Sequence, residues 1–184
     1  MTIRRPWQDP MIHKLMPGHA GYVTEKGWHG SPYWDVTFDG SQSEEKGEEE
    51  LVEELRSLLA DAVRLRLRSD VPVGAHLSGG LDSSSVAAMA CREAGGLRTF
   101  SIGFEETDSD ERPWSNRVRD HLKTDHSVKV VTHHDLPEDL KRITWLLDEP
   151  VIAGPVYSQL KLNEMVKEAG VKVVLGGQGG DDQG

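Results

Sequence analysis

The stretch Ser78-Gly79-Gly80-Leu81-Asp82-Ser83-Ser84 constrains this chain more than any other, because it stands between an apolar run, Val73 to Leu77, and a helical pattern from Ser83 to Ala94. A strand that hands over to a helix through paired glycines gathers several anion-attracting groups at one point. Gly79 and Gly80 lack Cβ atoms, so backbone N–H groups can approach an anion in conformations that other residues avoid. The helix aims its unpaired N–H groups and the positive end of its dipole at the same spot. Ser78, Ser83 and Ser84 add hydroxyl donors. Asp82 would be repelled by phosphate unless a cation lay between them, so its presence calls for Mg²⁺, a hard ion that takes carboxylate and phosphate oxygens together. The competing reading is an ordinary glycine turn with Asp82 or Ser83 as a helix cap. Five specified positions in six should recur by chance in only about one chain in several thousand of this length, which favours the phosphate reading. Neither G-x-G-x-x-G nor G-x-x-x-x-G-K-[ST] occurs, which speaks against a dinucleotide fingerprint and a Walker-type loop.

Around this loop, strand and helix patterns alternate. Leu51, Val52, Leu55, Leu58, Leu59, Ala62 and Val63 recur at three and four, the stripe of an amphipathic helix opened by Glu48-Glu49-Glu50. After the loop helix come a strand over 97–104, a helix over 114–122, a strand over 127–131, helices over 136–147 and 158–169, and a strand over 171–175 that runs into glycines. Such alternation predicts an α/β fold: a mostly parallel sheet with helices on both faces. Before it, turn signals such as Pro17-Gly18 with β-like runs at Tyr22-Val23 and Tyr33-Trp34 predict a small hairpin within residues 1–38. Residues 39–47 carry Gly, Ser, Gln and Glu and read as a linker, so the main domain spans 48–184. No internal repeat is visible.

Composition narrows the partners. The chain has 184 residues and a formal net charge of -10. That charge argues against non-specific nucleic-acid binding, which needs clustered Lys and Arg. Arg64, Arg66 and Arg68 do cluster, but at a predicted helix end, where the macrodipole favours cations. No apolar run reaches membrane-spanning length, and Met1 to Pro10 is polar and basic, so no membrane partner and a cytoplasmic location are expected. The single cysteine, Cys91, can form neither an internal disulfide nor a zinc site, and it reads as helix packing. His133-His134-Asp135 reads as a solvated strand end, since neighbours on a strand point to opposite faces. Glu105-Glu106 follows a strand at the ligand edge and has two readings, contact with substrate or metal and loop solvation, the second slightly favoured.

The loop resembles the signature of the N-type ATP pyrophosphatases, or PP-loop enzymes, a group that includes asparagine, NAD, GMP and argininosuccinate synthetases. Four further segments make the chain similar to glutamine-dependent asparagine synthetases: Val71-Pro72-Val73-Gly74, Thr99-Phe100-Ser101-Ile102-Gly103-Phe104, Asp148-Glu149-Pro150, and Val173 to Asp182. Pro17-Gly18-His19 and Tyr33-Trp34-Asp35 resemble the closing segment of that family's glutaminase domain. The resemblance implies an adenine nucleotide alpha hydrolase-like fold and a ligase that adenylates the side-chain carboxylate of aspartate with ATP, releases pyrophosphate with Mg²⁺, and lets ammonia attack the acyl-adenylate. It also implies roles. Ser78, Gly79, Gly80, Asp82, Ser83 and Ser84 would hold pyrophosphate, Leu77, Ile102 and Gly177 would border adenosine, and Asp82 with Asp181 would hold Mg²⁺.

Three departures from the family pattern qualify the expectation. Thr2 stands where the family places the glutaminase cysteine, so ammonia is expected from a separate glutaminase domain or subunit. Gly176, Gln178 and Asp182 replace the Ser, Glu and Glu of the family's last glycine cluster. Gln178 lacks a charge that could orient an amine or shuttle a proton, which opens the choice of carboxylate substrate. Lastly, the chain stops at Gly184 where the family continues into helices with a catalytic lysine, so a fragment truncated at its C-terminus, with uncovered apolar faces, is expected. Two alternatives to an asparagine synthase follow: a similar ligase for another carboxylate and amine, and a non-catalytic fragment.

Overall fold

The computed structural model describes residues 15–36, 46–105, 110–132, 134, 136–148 and 153–179. Thr2, most of the 39–47 segment, Glu106, His133, Asp135, Glu149, Pro150 and residues 180–184 lie outside them, and with them the expectations placed on those residues. The chain divides into two compact units, Met1–Glu48 and Glu49–Gly184.

The first unit contains an antiparallel hairpin, β1 (His19–Thr24) and β2 (Gly27–Pro32), registered from His19 opposite Pro32 to Thr24 opposite Gly27. The turn closes at Gly27, whose φ of +113° lies where only glycine is comfortable. Tyr33 and Trp34, which the sequence suggested as strand, fall just past β2 and donate their backbone N–H groups to Gly18 O.

The second unit runs α1 (Glu48–Arg66), β3 (Val73–His76), α2 (Leu81–Ala94), β4 (Arg98–Phe104), α3 (Arg112–Leu122), β5 (Asp125–Val131), α4 (Leu136–Leu147), α5 (Ala153–Glu168) and β6 (Val173–Leu175). Its four strands pair in parallel in the order β5-β4-β3-β6. The chain steps outward from β3 to β4 and β5, then crosses back to lay β6 on the other side of β3. Alternation along the strands assigns the two faces. Ala75 and Leu77 pack with Ala87 and Ala90 of α2 and with Val118 and Leu122 of α3. On the opposite face Phe100 packs with Met165 and Val166 of α5, while Ile102, Phe104 and Val131 pack with Ile143 of α4 and Tyr157 of α5. The expected parallel sheet with helices on both faces is therefore what the residues build.

Several boundaries differ from expectation. α2 starts at Leu81, two residues before the expected Ser83, with Gly80 as its N-cap and no side-chain cap bond, so neither Asp82 nor Ser83 acts as a cap. α5 starts at Ala153 rather than Ser158, and Pro155 sits in its first turn, where a missing N–H costs nothing. Of the α1 stripe only Val63 is buried, while Leu51, Val52, Leu55 and Leu58 remain exposed. The basic cluster behaves as a helix end: Arg64 and Arg66 lie in the last turn of α1, and Arg66 Nη1 donates to Ala62 O at 3.1 Å.

Candidate active site

The chain places its glycines where three loops must touch. β3 ends beside Phe100, and Leu77 N donates to Phe100 O at 2.9 Å, which carries the pairing one residue further. The Ser101 hydroxyl donates to Leu77 O, fixing the start of the loop from the neighbouring strand. Gly79 then turns with φ +91°, and a Cβ there would meet Ser115 N at 2.5 Å and Trp114 Cβ at 2.6 Å, so the loop lies directly on the first turn of α3. Gly177, after β6, is pressed on the other side: its Cβ would meet Ser83 N at 2.6 Å and Asp82 Cβ at 2.7 Å. Two glycines thus let the loop after β3 sit between α3 and the loop after β6. Neither approach leaves room for a side chain.

Within the loop the hydroxyls order the backbone. Ser78 Oγ and Ser83 Oγ are 2.8 Å apart, Ser83 Oγ accepts from Ser78 N at 3.2 Å, and Ser78 Oγ accepts from Gly80 N at 3.2 Å. Ser84 Oγ is buried without a hydrogen-bond partner among the described residues. A cleft of about 810 Å³ opens over this loop at the carboxyl ends of β3, β4 and β6, where open parallel sheets take their ligands. Of the residues singled out from the sequence, Leu77, Ser78, Gly80, Asp82, Ser83, Ile102, Gly177 and Gln178 line it. Gly79 and Ser84 stand off the wall, and Asp181 lies outside the described residues.

The wall also holds His76, Glu111, Pro155, Ser158 and Gln159, which sequence reading passed over. His76 had been absorbed into an apolar run. Pro155 fell before the expected start of the helix at Ser158, although a proline there is itself a helix-start signal, and Ser158 and Gln159 fell in its expected first turn without being read as a wall. Burial holds the His76 imidazole below its ordinary pKa, so the ring is neutral at physiological pH, and its Nε2 is buried without a partner. Beyond the rim, Asp110 accepts from Arg112 Nε at 2.8 Å, and that hydrogen bond keeps the Asp110 carboxyl below the usual range. Arg112 also donates to Phe104 O at 3.3 Å and lies over Gly103, tying α3 to the end of β4.

Cys91 is partly buried in the core under α2, and burial raises its thiol pKa. His134 and Glu105 are exposed. Among the described residues no group of three His, Cys, Asp or Glu could hold a metal by itself, and no helix is long and apolar enough to cross a membrane.

Fold and cleft together define a parallel α/β domain with a glycine loop at its β3–α2 junction, lining a cleft at the carboxyl ends of the strands. The chain belongs to the asparagine synthase family, whose model matches residues 54–183. It is 44% identical over 134 residues to a putative glutamine-hydrolysing asparagine synthetase 2 of Methanocaldococcus jannaschii, covering 72% of this chain and 26% of that protein. It is 36% identical over 180 residues to the glutamine-hydrolysing asparagine synthetase 1 of Bacillus subtilis, covering 95% and 27%. The amidase chyE of Penicillium rubens is 30% identical over 190 residues, covering 93% and 28%. The chain thus spans about a quarter of the length of these relatives. Among solved structures, an NH3-dependent NAD synthetase from Campylobacter jejuni superposes with a TM-score of 0.45 at 15% identity, over 66% of this chain and 54% of that one, a likeness too slight to carry an argument.

Proposed function

We propose that this chain supplies the ATP-binding part of an ATP-dependent amide-forming ligase of the asparagine synthase type. The observation that carries the reading is the convergence of Ser78, Gly80, Asp82 and Ser83 with Ile102, Gly177 and Gln178 on one cleft. In it the N–H groups of the loop and of the first turn of α2 receive the triphosphate, with Ser78 and Ser83 adding hydroxyls. Leu77, Ile102 and Gly177 border the adenosine. A carboxylate oxygen attacks the α-phosphorus and pyrophosphate leaves; ammonia then attacks the acyl carbon, loses a proton and displaces AMP. Binding energy spent on orienting the two reactants and on accepting charge at the departing pyrophosphate is what accelerates such transfers.

The donor set suits Mg²⁺ of the kind shared with a nucleotide. Asp82 is one of two carboxylates on the described wall, with Glu111, and the one carried by the loop beside where phosphate would lie; Mg²⁺ typically takes one or two carboxylates plus phosphate oxygens and water rather than an all-protein cage. Asp82 and Asp181 would hold it, and it would neutralise charge on the leaving pyrophosphate. Gln178 would face the reacting carboxylate as a hydrogen-bonding group without charge. The ammonia would come from a separate glutaminase domain or subunit.

Pyrophosphate release from ATP and Mg²⁺, measured with ammonia and a panel of carboxylic acids, tests the reading. Release that requires aspartate and yields asparagine supports an asparagine synthase. Release only with another acid supports a second reading, a related ligase of different acyl substrate, which the uncharged Gln178 on the wall favours. No release with any acid, in a protein that folds, contradicts both.

A further inference from the structure

The His76 imidazole lies on the cleft wall and makes no side-chain hydrogen bond among the described residues; its Nε2 is buried, which leaves Nδ1 as the nitrogen that a ligand can meet. The ring sits at the last position of β3, paired with Phe100 of β4, one residue before Leu77 and two before Ser78. Its Nδ1 edge is turned toward Gly176, where a Cβ would stand 3.8 Å away. Gly176 and His76 therefore precede, each by one residue, Gly177 and Leu77, the two positions that border adenosine in the reading above. The phosphates belong at Ser78 to Ser83, so the part of a nucleotide that comes next to His76 is the sugar.

We propose that His76, by the ring edge that Gly176 leaves uncovered, hydrogen-bonds a ribose hydroxyl of the bound nucleotide and so selects ribonucleotides. The inference rests on the proposed ATP site. A hydroxyl both donates and accepts, so it pairs with Nδ1 of a neutral imidazole in either tautomer; an exocyclic amine or carbonyl of the base would match only one. The surrounding wall agrees, with Phe100 and Leu162 offering apolar surface and Ser158 and Gln159 polar groups.

Equilibrium binding of ATP, 2′-deoxy-ATP and 3′-deoxy-ATP, each with Mg²⁺, tests this in the unmodified protein first. Loss of one neutral hydrogen bond predicts that one of the deoxynucleotides binds about fivefold more weakly than ATP. In His76→Leu that gap closes, while His76→Gln, which keeps a donor and an acceptor, retains part of it. Gly176→Ala, whose methyl would cover the Nδ1 edge at ordinary contact distance, narrows it as well. Inorganic triphosphate binding stays constant in all three variants. Equal affinity of the unmodified protein for all three nucleotides overturns the inference and leaves the ATP site standing, as does a gap that survives in His76→Leu. Failure of the unmodified protein to bind any of them overturns the ATP site itself.

Discussion

At the scale of single residues, the two loop glycines separate by what surrounds them. Gly79 combines a positive φ with backbone atoms of Trp114 and Ser115 inside 2.7 Å of a would-be Cβ, so Gly79→Ala should destabilise the domain by about 3 kcal/mol. Gly80 has an ordinary extended φ of -70°, and a Cβ there meets only Ser78 Oγ at 3.3 Å, so Gly80→Ala should cost under about 1 kcal/mol. Urea unfolding of the two variants checks the contrast, and equal losses would contradict the proposed packing of the loop on α3. Both glycines were legible as a strand-to-helix loop because the motif is local: strand, turn and helix start are consecutive in the chain. The reason for Gly79 was not legible, since its neighbour Ser115 is 36 positions away and meets it only through the sheet. His76 escaped for a related reason, because a histidine inside an apolar run looks like strand filling until the cleft beside it is seen.

Among elements, α4 and α5 are held by charge as well as by apolar contact. Lys161 Nζ lies 2.6 Å from Asp139 Oδ2 with side chains only 13% and 11% exposed, Glu164 is 3.7 Å from the same amine, and Tyr157 OH donates to Thr132 O at 2.9 Å. Asp139 beside it pushes the Lys161 amine pKa up. Removing one partner strands a desolvated charge, so Asp139→Ala should cost about 3 kcal/mol, whereas replacing the pair by Asp139→Leu with Lys161→Met should cost much less. Thermal melts of the single and double variants distinguish these outcomes. β5 carries a pH-sensitive group. His126 Nδ1 is 2.8 Å from Thr99 Oγ1, and burial, assisted by Arg119, lowers its pKa, as burial alone does for His76. Above about pH 6.5 both rings are neutral folded or unfolded; below it the unfolded chain takes up protons first, so stability should fall as pH drops from 6.5 toward the lowered values. A denaturant series at pH 7.5 and 5.5 should show that loss, and His126→Gln should reduce it; a pH-independent midpoint would contradict the assignment. Element order was legible from period alone, while element ends were not. The starts of α2 and α5 depend on Gly80 and Pro155 being used as cap and first-turn residue, and those choices are settled by what packs above them.

For the whole molecule, strand order does what no single element can. Crossing back from β5 to β6 brings residues 176–179 beside residues 77–83, so a cleft is built from segments almost 100 positions apart. The sequence reading reached the sheet class and both loops, because each carries its own glycine signature; it did not reach the α5 wall, whose only local signals are a helical period and Pro155. The expected α1 stripe was half realised: Val63 anchors its C-terminal end in the core, and Leu55 and Leu58 stay about two-thirds exposed. The account as a whole turns on a metal-bridged triphosphate held at the junction of β3 and α2. Titration of ATP into the protein with Mg²⁺ and again with excess chelator, repeated for Asp82→Ala, measures that directly. Affinity that depends on Mg²⁺ in the unmodified protein and drops at least about tenfold in Asp82→Ala, with the fold intact, is the predicted result, since the cation joining carboxylate and phosphate is lost. Nucleotide affinity indifferent to both the metal and Asp82 would contradict it.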